Sequence, residues 1–164
     1  MADEKNNLKL YYNETDITKK IDIQECVMKD VSGGENDCLN LLVDNAAQWL
    51  KWGVQKNDRI RVTRSGYDTR TLYVNTIAPE DGSMRIYATG SKCALFEQKR
   101  ISYENTTLAG IMAGCAGEGG MGFKLFGINE QIFYEYLLRD KKKATEFLNT
   151  LMEREGAVLK SMNG

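Results

Sequence analysis

The side chains with the greatest chemical reactivity in this sequence are four cysteines, and no histidine accompanies them. Histidine is the usual general base and a frequent zinc ligand, so its absence excludes Ser-His-Asp triads, Cys-His dyads and histidine-bound zinc. The cysteines form no CxxC pair, which a zinc ribbon or a thioredoxin-like motif requires. We therefore expect reduced thiols, and neither a metal site nor a cofactor. The four are Cys26, Cys38, Cys93 and Cys115.

A glycine-rich run at residues 114–122 is the second candidate for chemistry, because such runs can cradle phosphate groups. A Walker loop follows a strand and ends in Gly-Lys-Ser/Thr, and a dinucleotide site needs βαβ units. This run instead follows a helical pattern and contains no lysine. It predicts the end of a helix and a turn.

Two groups of carboxylates lie close together in the sequence. Glu80 and Asp81 fall in a predicted turn, and Glu153 and Glu155 flank an arginine at a predicted helix end. Acid catalysis by paired carboxylates needs one of them in an apolar pocket, and neither segment provides one. We expect no catalytic residue, so the chain is predicted not to be an enzyme.

Composition narrows the possible partners and location. The 164 residues include 22 Lys plus Arg and 23 Asp plus Glu, a net charge of -1, which gives no electrostatic basis for nucleic-acid binding. No stretch approaches the roughly 20 apolar residues of a membrane span. The first residues are charged and lack the apolar core of a signal peptide, so we expect a cytoplasmic protein when synthesised.

The elements that position these residues change along the chain. The first hundred residues alternate with period two, which is typical of strands with one buried face. Six short strands with turns between them indicate a small antiparallel barrel or sandwich, and of these we predict an antiparallel β-barrel over residues 5–98. The predicted strands cover residues 8–12, 21–23, 39–43, 59–63, 72–76 and 84–89.

After about Arg100 the spacing becomes helical, and we expect a small helix-strand-strand-helix-strand module over residues 101–164, giving an α+β fold. Asn105 or Thr106 is predicted to cap the first helix and Asp140 the second, with Gly156 as a left-handed C-terminal cap. The predicted strands cover residues 123–128 and 132–138, with a last one starting at 157. The buried helix faces are predicted to be Leu108, Ile111, Met112 and Cys115, then Ala144, Phe147, Leu148, Leu151 and Met152.

The most specific feature is a strand followed by Trp49 and Trp52 and then by Asn57 and Asp58. Tryptophans three apart lie on one face of a helical turn, where each can bury on the order of 200 Å². They could simply close the end of the barrel. Alternatively one of them faces a partner subunit, since tryptophan is enriched at interface hot spots. We select Trp49, Trp52 and Asp58 as structural or interface anchors.

This stretch resembles the N-terminal barrel of the phage late control D family, the baseplate hub proteins of contractile tails. Asn57 stands where that family usually has glycine, a mild change because asparagine also adopts left-handed conformations. Two later stretches resemble the entry to the family's middle domain and its second helix. The matching segments are residues 37–44, Trp49 and Trp52, 57–62, 102–111 and 147–157.

The resemblance implies a structural hub that joins the tail tube to the central spike in a phage or phage-like particle. It also implies a homotrimer for a full-length protein that carries a second barrel. A carbohydrate-binding module of a cell-wall hydrolase is the alternative, since the part after residue 101 could resemble a wall-binding motif. A wall-lytic enzyme fits least well, because no histidine or acid pair is evident.

Overall fold

The structure is a computed structural model that describes residues 8–31, 33 and 36–161. These residues form two compact units, each with its own buried core. The first runs to Lys92 and includes Lys160 and Ser161, and the second is Cys93–Leu159. The domain limits 5–98 and 101–164 stay a prediction, and their ends at 5–7 and 162–164 lie outside the described residues.

The first unit is built on one antiparallel sheet of eight strands. Along the sheet the order is β2-β1-β5-β7-β8-β4-β3, and the short β6 pairs with β5. The six predicted strands are all present, although the second begins later and runs six residues further than predicted. The strands are β1 (Leu8–Tyr12), β2 (Thr15–Asp16), β3 (Ile23–Lys29), β4 (Cys38–Val43), β5 (Arg59–Arg64), β6 (Tyr67–Asp68), β7 (Leu72–Glu80) and β8 (Ser83–Thr89).

One face of this sheet forms the core, as the alternation predicts. On β4, Leu39, Leu41 and Val43 are fully buried while the residues between them are only half-buried. Their neighbours on β8 repeat the pattern with Met84 and Ile86. Among the described residues no ladder joins β3 to β1 or β2, so closure of the sheet into a barrel stays a prediction.

The second unit has the order strand, helix, strand, helix. These elements are β9 (Lys99–Thr107), α2 (Leu108–Glu118), β10 (Phe133–Lys142) and α3 (Ala144–Arg154). The two strands form an antiparallel sheet, and the helices supply most of the core. Both predicted helix faces are confirmed, since all nine of their residues are buried. The described chain therefore combines helices with antiparallel sheets, as the predicted α+β class requires.

The predicted helix-strand-strand-helix-strand order of this unit is wrong. No strand forms at residues 123–128 or 157–160, and the partner of β10 is β9, which the sequence analysis missed. The helical spacing begins only at Leu108, because residues 99–107 form β9, one strand of a two-stranded sheet. Such a strand has only a half-buried face, so its apolar alternation is weak.

Both helices of the second unit begin later than predicted. Thr107 caps α2, its hydroxyl accepting from Gly110 N. Lys143 precedes α3 without a side-chain cap, while Asp140 lies in β10 with an ion pair to Arg100. The predicted left-handed conformation of Gly156 is confirmed by its φ of 71°.

A buried arginine organises the polar interior of the second unit. Arg139 is fully buried, and its Nη1 donates to Glu118 Oε1 over 2.5 Å. Its other nitrogens donate to the carbonyls of Lys142 (2.7 Å) and Glu97 (2.9 Å). Glu118 Oε2 also lies 3.1 Å from Lys99 Nζ. The buried charge is thus paired, and all its guanidinium nitrogens are hydrogen-bonded, as burial of an ion requires.

We predict that Arg139→Ala lowers the free energy of unfolding by about 3–5 kcal/mol, because it leaves the Glu118 carboxylate buried with one weaker partner. Arg100→Ala is the matched control: its ion pair with Asp140 joins two largely exposed side chains, for which about 0–1 kcal/mol is expected. Urea denaturation measures both. Equal losses in the two variants would contradict a special role for Arg139.

Candidate functional site

The two tryptophans lie on α1 (Ala46–Trp52), a short helix between β4 and β5. Asn45 begins the helix in a left-handed conformation, and its side chain accepts from Gln48 N. Gly53, also left-handed, ends it with its N–H bonded to Leu50 O. Asparagine and glycine tolerate this backbone region best, so the local sequence confines the helix to two turns.

The structure brings both tryptophans together with Tyr12 of β1 in an aromatic cluster. The rings of Trp49 and Trp52 meet edge to face with centroids 5.2 Å apart, and Trp49 meets Tyr12 in the same way at 5.4 Å. Tyr12 and Trp52 stack at 6.1 Å. Offset and edge-to-face pairs of this kind each add about 0.5–1.5 kcal/mol to the energy of burial.

Within this cluster the two tryptophans differ in exposure. Trp49 is fully buried, and its Nε1 has no hydrogen-bond acceptor among the described residues, whereas Trp52 is only half-buried. Leu50, between them in sequence, is 63% exposed. Trp49 therefore fixes α1, the tryptophan helix, in the core, while Leu50 and part of Trp52 are accessible to solvent.

Asp58 joins the aromatic cluster to the backbone. Its Oδ2 accepts from Tyr12 Oη at 2.7 Å and from Gln55 N at 2.8 Å. Its carbonyl accepts from Val74 N at 2.8 Å, next to the bond from Asn57 N to Val74 O. One residue thus fixes the turn after the tryptophan helix, the tyrosine of β1 and the start of β7.

The electrostatics of this cluster keep the tyrosine protonated. Burial, followed by the hydrogen bond and the negative charge of Asp58, raises the pKa of Tyr12 well above its ordinary value. A phenol that holds its proton this firmly is a poor base or nucleophile at neutral pH. At neutral pH the Tyr12 hydroxyl therefore stays protonated and donates its hydrogen bond to Asp58.

A function could also be indicated by a surface depression, a metal-binding cluster or a membrane-spanning helix. An open depression of about 580 Å³ lies on the first unit, lined by polar residues. In the described part of the chain, no group of three or more His, Cys, Asp or Glu could hold a metal ion, and no helix is long and apolar enough to cross a membrane. The depression is lined by Asn57, Arg59, Thr71, Tyr73 and Lys92.

The sequence analysis selected Trp49, Trp52 and Asp58, which the structure places together, but it missed Tyr12. The sequence does not show that Tyr12 contacts Asp58, because the two residues are 46 positions apart and no local pattern links them. The alternation of β1 does indicate that Tyr12 lies on the same face as buried Leu10, and therefore that it faces the core.

We predict that the two tryptophans contribute unequally to stability. Trp49→Ala removes a fully buried ring and is expected to cost about 3–5 kcal/mol. Trp52→Ala removes a half-buried ring and is expected to cost about half as much, since the area withdrawn from water is smaller. Thermal and urea unfolding measure both losses. Equal losses would contradict a surface role for Trp52.

We predict a loss of stability at alkaline pH that depends on Tyr12. Because its folded-state pKa is raised, the stabilisation is fully present below the unfolded pKa of about 10 and is lost as pH rises toward the folded value. Tyr12→Phe should therefore flatten the decline in unfolding free energy above about pH 10. Tyr11→Phe, on the opposite face of the same strand, controls for loss of a hydroxyl. An unchanged slope in Tyr12→Phe would contradict the assignment.

Comparison with known proteins places the fold. The chain matches no protein-family model and no curated protein. Among solved structures its fold is similar to that of the 43 kDa tail protein of prophage MuSo2 from Shewanella oneidensis, with a TM-score of 0.61 and 12% sequence identity. The match covers 93% of this chain and 49% of that chain, so the chain spans about half the length of that structure. At this identity the likeness establishes a shared fold.

Proposed function

We propose that this chain is a structural component of a phage tail or of a phage-derived, tail-like particle. The observation that carries the proposal is the fold shared with a prophage tail protein over 93% of the chain. That likeness includes both compact units, since 93% of the chain cannot fall within either alone. A shared fold is weak evidence for function by itself, so the finer proposal depends on sequence as well.

The finer proposal is a baseplate hub that connects the tail tube to the central spike. It is supported by three stretches that resemble the late control D family, residues 37–62, 102–111 and 147–157, which are distributed in order across both units. In this proposal the eight-stranded sheet is an antiparallel barrel whose β3 edge stays open, and a longer chain with a second barrel forms a homotrimer. The tube and spike proteins are its other partners.

A structural role also agrees with the chemistry of the anchors. Trp49, Trp52 and Asp58 form a packed cluster with Tyr12, and near it Trp52 is half-buried and Leu50 is exposed. Aromatic and aliphatic side chains of this kind are typical of the centre of protein interfaces. We propose Leu50 and Trp52 as the contact made with a neighbouring subunit, and no catalytic role for any residue.

The alternative, a module that binds cell-wall carbohydrate, is supported by exposed aromatic rings in the second unit. Phe126 is 84% exposed, and Phe133 and Tyr136 are 58% and 59% exposed. Exposed rings provide apolar contact area for a partner, which includes the faces of sugar rings. This alternative predicts binding to isolated wall material without any tail protein.

The test is assembly. An epitope-tagged chain, expressed together with the tail genes that neighbour its own gene, is expected to sediment with tail particles and to carry immunogold label at the tail tip. Chemical cross-linking of the same particles is expected to give trimers. Particles that form without the tagged chain would overturn the tail proposal, and binding to purified cell wall alone would favour the carbohydrate alternative.

Variants make this test specific to the proposed contact. Leu50→Asp changes an exposed side chain, so it should leave the melting temperature close to that of the unmodified chain and still reduce incorporation into particles. Val158→Asp, also at a highly exposed aliphatic residue, is the matched control and should incorporate normally. Equal incorporation of both variants would contradict the proposed contact while leaving the tail assignment intact.

A further inference from the structure

The two ends of the eight-stranded sheet differ in how their edges are covered. At one end, β2 pairs with β1 at Tyr11 and Tyr12. The chain that follows β2 completes the cover, since Ile17 N donates to Leu10 O and Leu10 N donates to Thr18 Oγ1, each at 2.9 Å. This edge is occupied by its own chain.

At the other end, β3 is a seven-residue strand whose ladder is with β4 alone among residues 8–31, 33 and 36–161. It contains no proline, the residue that most directly prevents a further strand from pairing. A strand edge of this length presents a row of backbone N–H and C=O groups that another strand can pair with. The edge of β3 is therefore the part of this sheet most suited to adding a strand.

The side chains of β3 show which partner suits it. Cys26 and Met28 point inward and pack against the core. Glu25, Val27 and Lys29 alternate with them on the outer face, and Val27 is 51% exposed. Along this face the order is therefore acidic, apolar, basic, at spacings of two residues.

This order is complementary to itself when the strand is reversed. If two copies of β3 pair antiparallel about a twofold axis through Val27, the two Val27 side chains lie opposite each other. Each Glu25 then lies opposite Lys29 of the other copy, so both charge pairs are favourable. A shift of two residues places Glu25 opposite Val27, and in-register parallel pairing places like charges side by side, so the antiparallel register through Val27 is favoured.

We propose that β3 is a self-association edge, through which two copies of this chain join their sheets in that register. The neighbouring strands support it, because Val27 is in register with Asn40 on β4, and Asn40 with Tyr87 on β8, which is 39% exposed. Pairing extends this row across both copies. An interface of two aligned edges is smaller than the roughly 1,200–2,000 Å² of a stable complex, so the dimer is weak and concentration-dependent.

Glu25 and Lys29 each already have a partner within their own chain, and this affects the design of variants. Arg85 Nη1 lies 3.2 Å from Glu25 Oε2, and Arg85 also donates to Glu80 (2.7 Å) and Asn40 (3.0 Å). Reversal of the charge at Glu25 therefore leaves Arg85 with two partners. The fold is expected to survive, which far-UV circular dichroism and thermal melting check.

The experiment is charge reversal followed by mixing. Glu25→Lys and Lys29→Glu each turn both cross-strand pairs into like-charge pairs, and each should raise the dissociation constant of the homodimer about tenfold. An equimolar mixture of the two variants restores both favourable pairs, because each mixed dimer again places a lysine opposite a glutamate at both positions. Sedimentation equilibrium should therefore show a dimer in the mixture that neither variant forms alone at the same concentration.

Matched controls carry the same changes in charge elsewhere. Lys20→Glu and Glu135→Lys alter exposed residues outside β3 and should dimerise as the unmodified chain does. The proposal is overturned if the unmodified chain stays monomeric up to millimolar concentration, if the mixture fails to recover the dimer, or if the controls weaken it equally. None of these outcomes depends on the tail assignment, which assembly into particles tests separately.

Discussion

Burial of one face of the eight-stranded sheet is the constraint on which the first unit depends, and Trp49 is the largest side chain that is fully buried there. The strands supply mainly leucine, isoleucine, valine and methionine to the same cluster. Packing at interior density requires a large group where these smaller side chains leave space. The helix that carries Trp49 joins β4 to β5 along the chain, and left-handed Asn45 and Gly53 fix its two ends.

The sequence was most informative where burial is one-sided and strong. In β4 and β8 every second residue is fully or nearly fully buried, as are Ile60 and Val62 in β5, so period-two alternation predicted these strands. In β9 the alternation has only Ile101 and Tyr103 as apolar members, and both are half-buried. Its partner β10 begins 26 residues after β9 ends, and no local signal specifies a pairing at that separation.

The same distinction applies to individual residues. Trp49, Trp52 and Asp58 could be selected because they belong to one short segment, and large aromatic residues indicate burial. Arg139 could not, because it lies in a run of charged residues that is typical of a solvated face, yet it is fully buried. Its partners Glu97 and Glu118 come from two other segments, so only the folded chain identifies it as a core residue.

Left-handed residues show where backbone strain is tolerated in this fold. Asn13, Asn45 and Asn57 adopt this conformation at turns, where asparagine is favoured. Lys141, with φ of 50°, is not such a residue, and a conformation of this kind costs of order 1–3 kcal/mol. It lies at the register shift between Arg139 and Lys142, which bends β10 so that Arg139 Nε reaches the Lys142 carbonyl at 2.7 Å. The Lys142 carbonyl is one of three partners of the Arg139 guanidinium, and leaving that buried N–H unsatisfied would cost about 1–3 kcal/mol, which is comparable to the strain at Lys141.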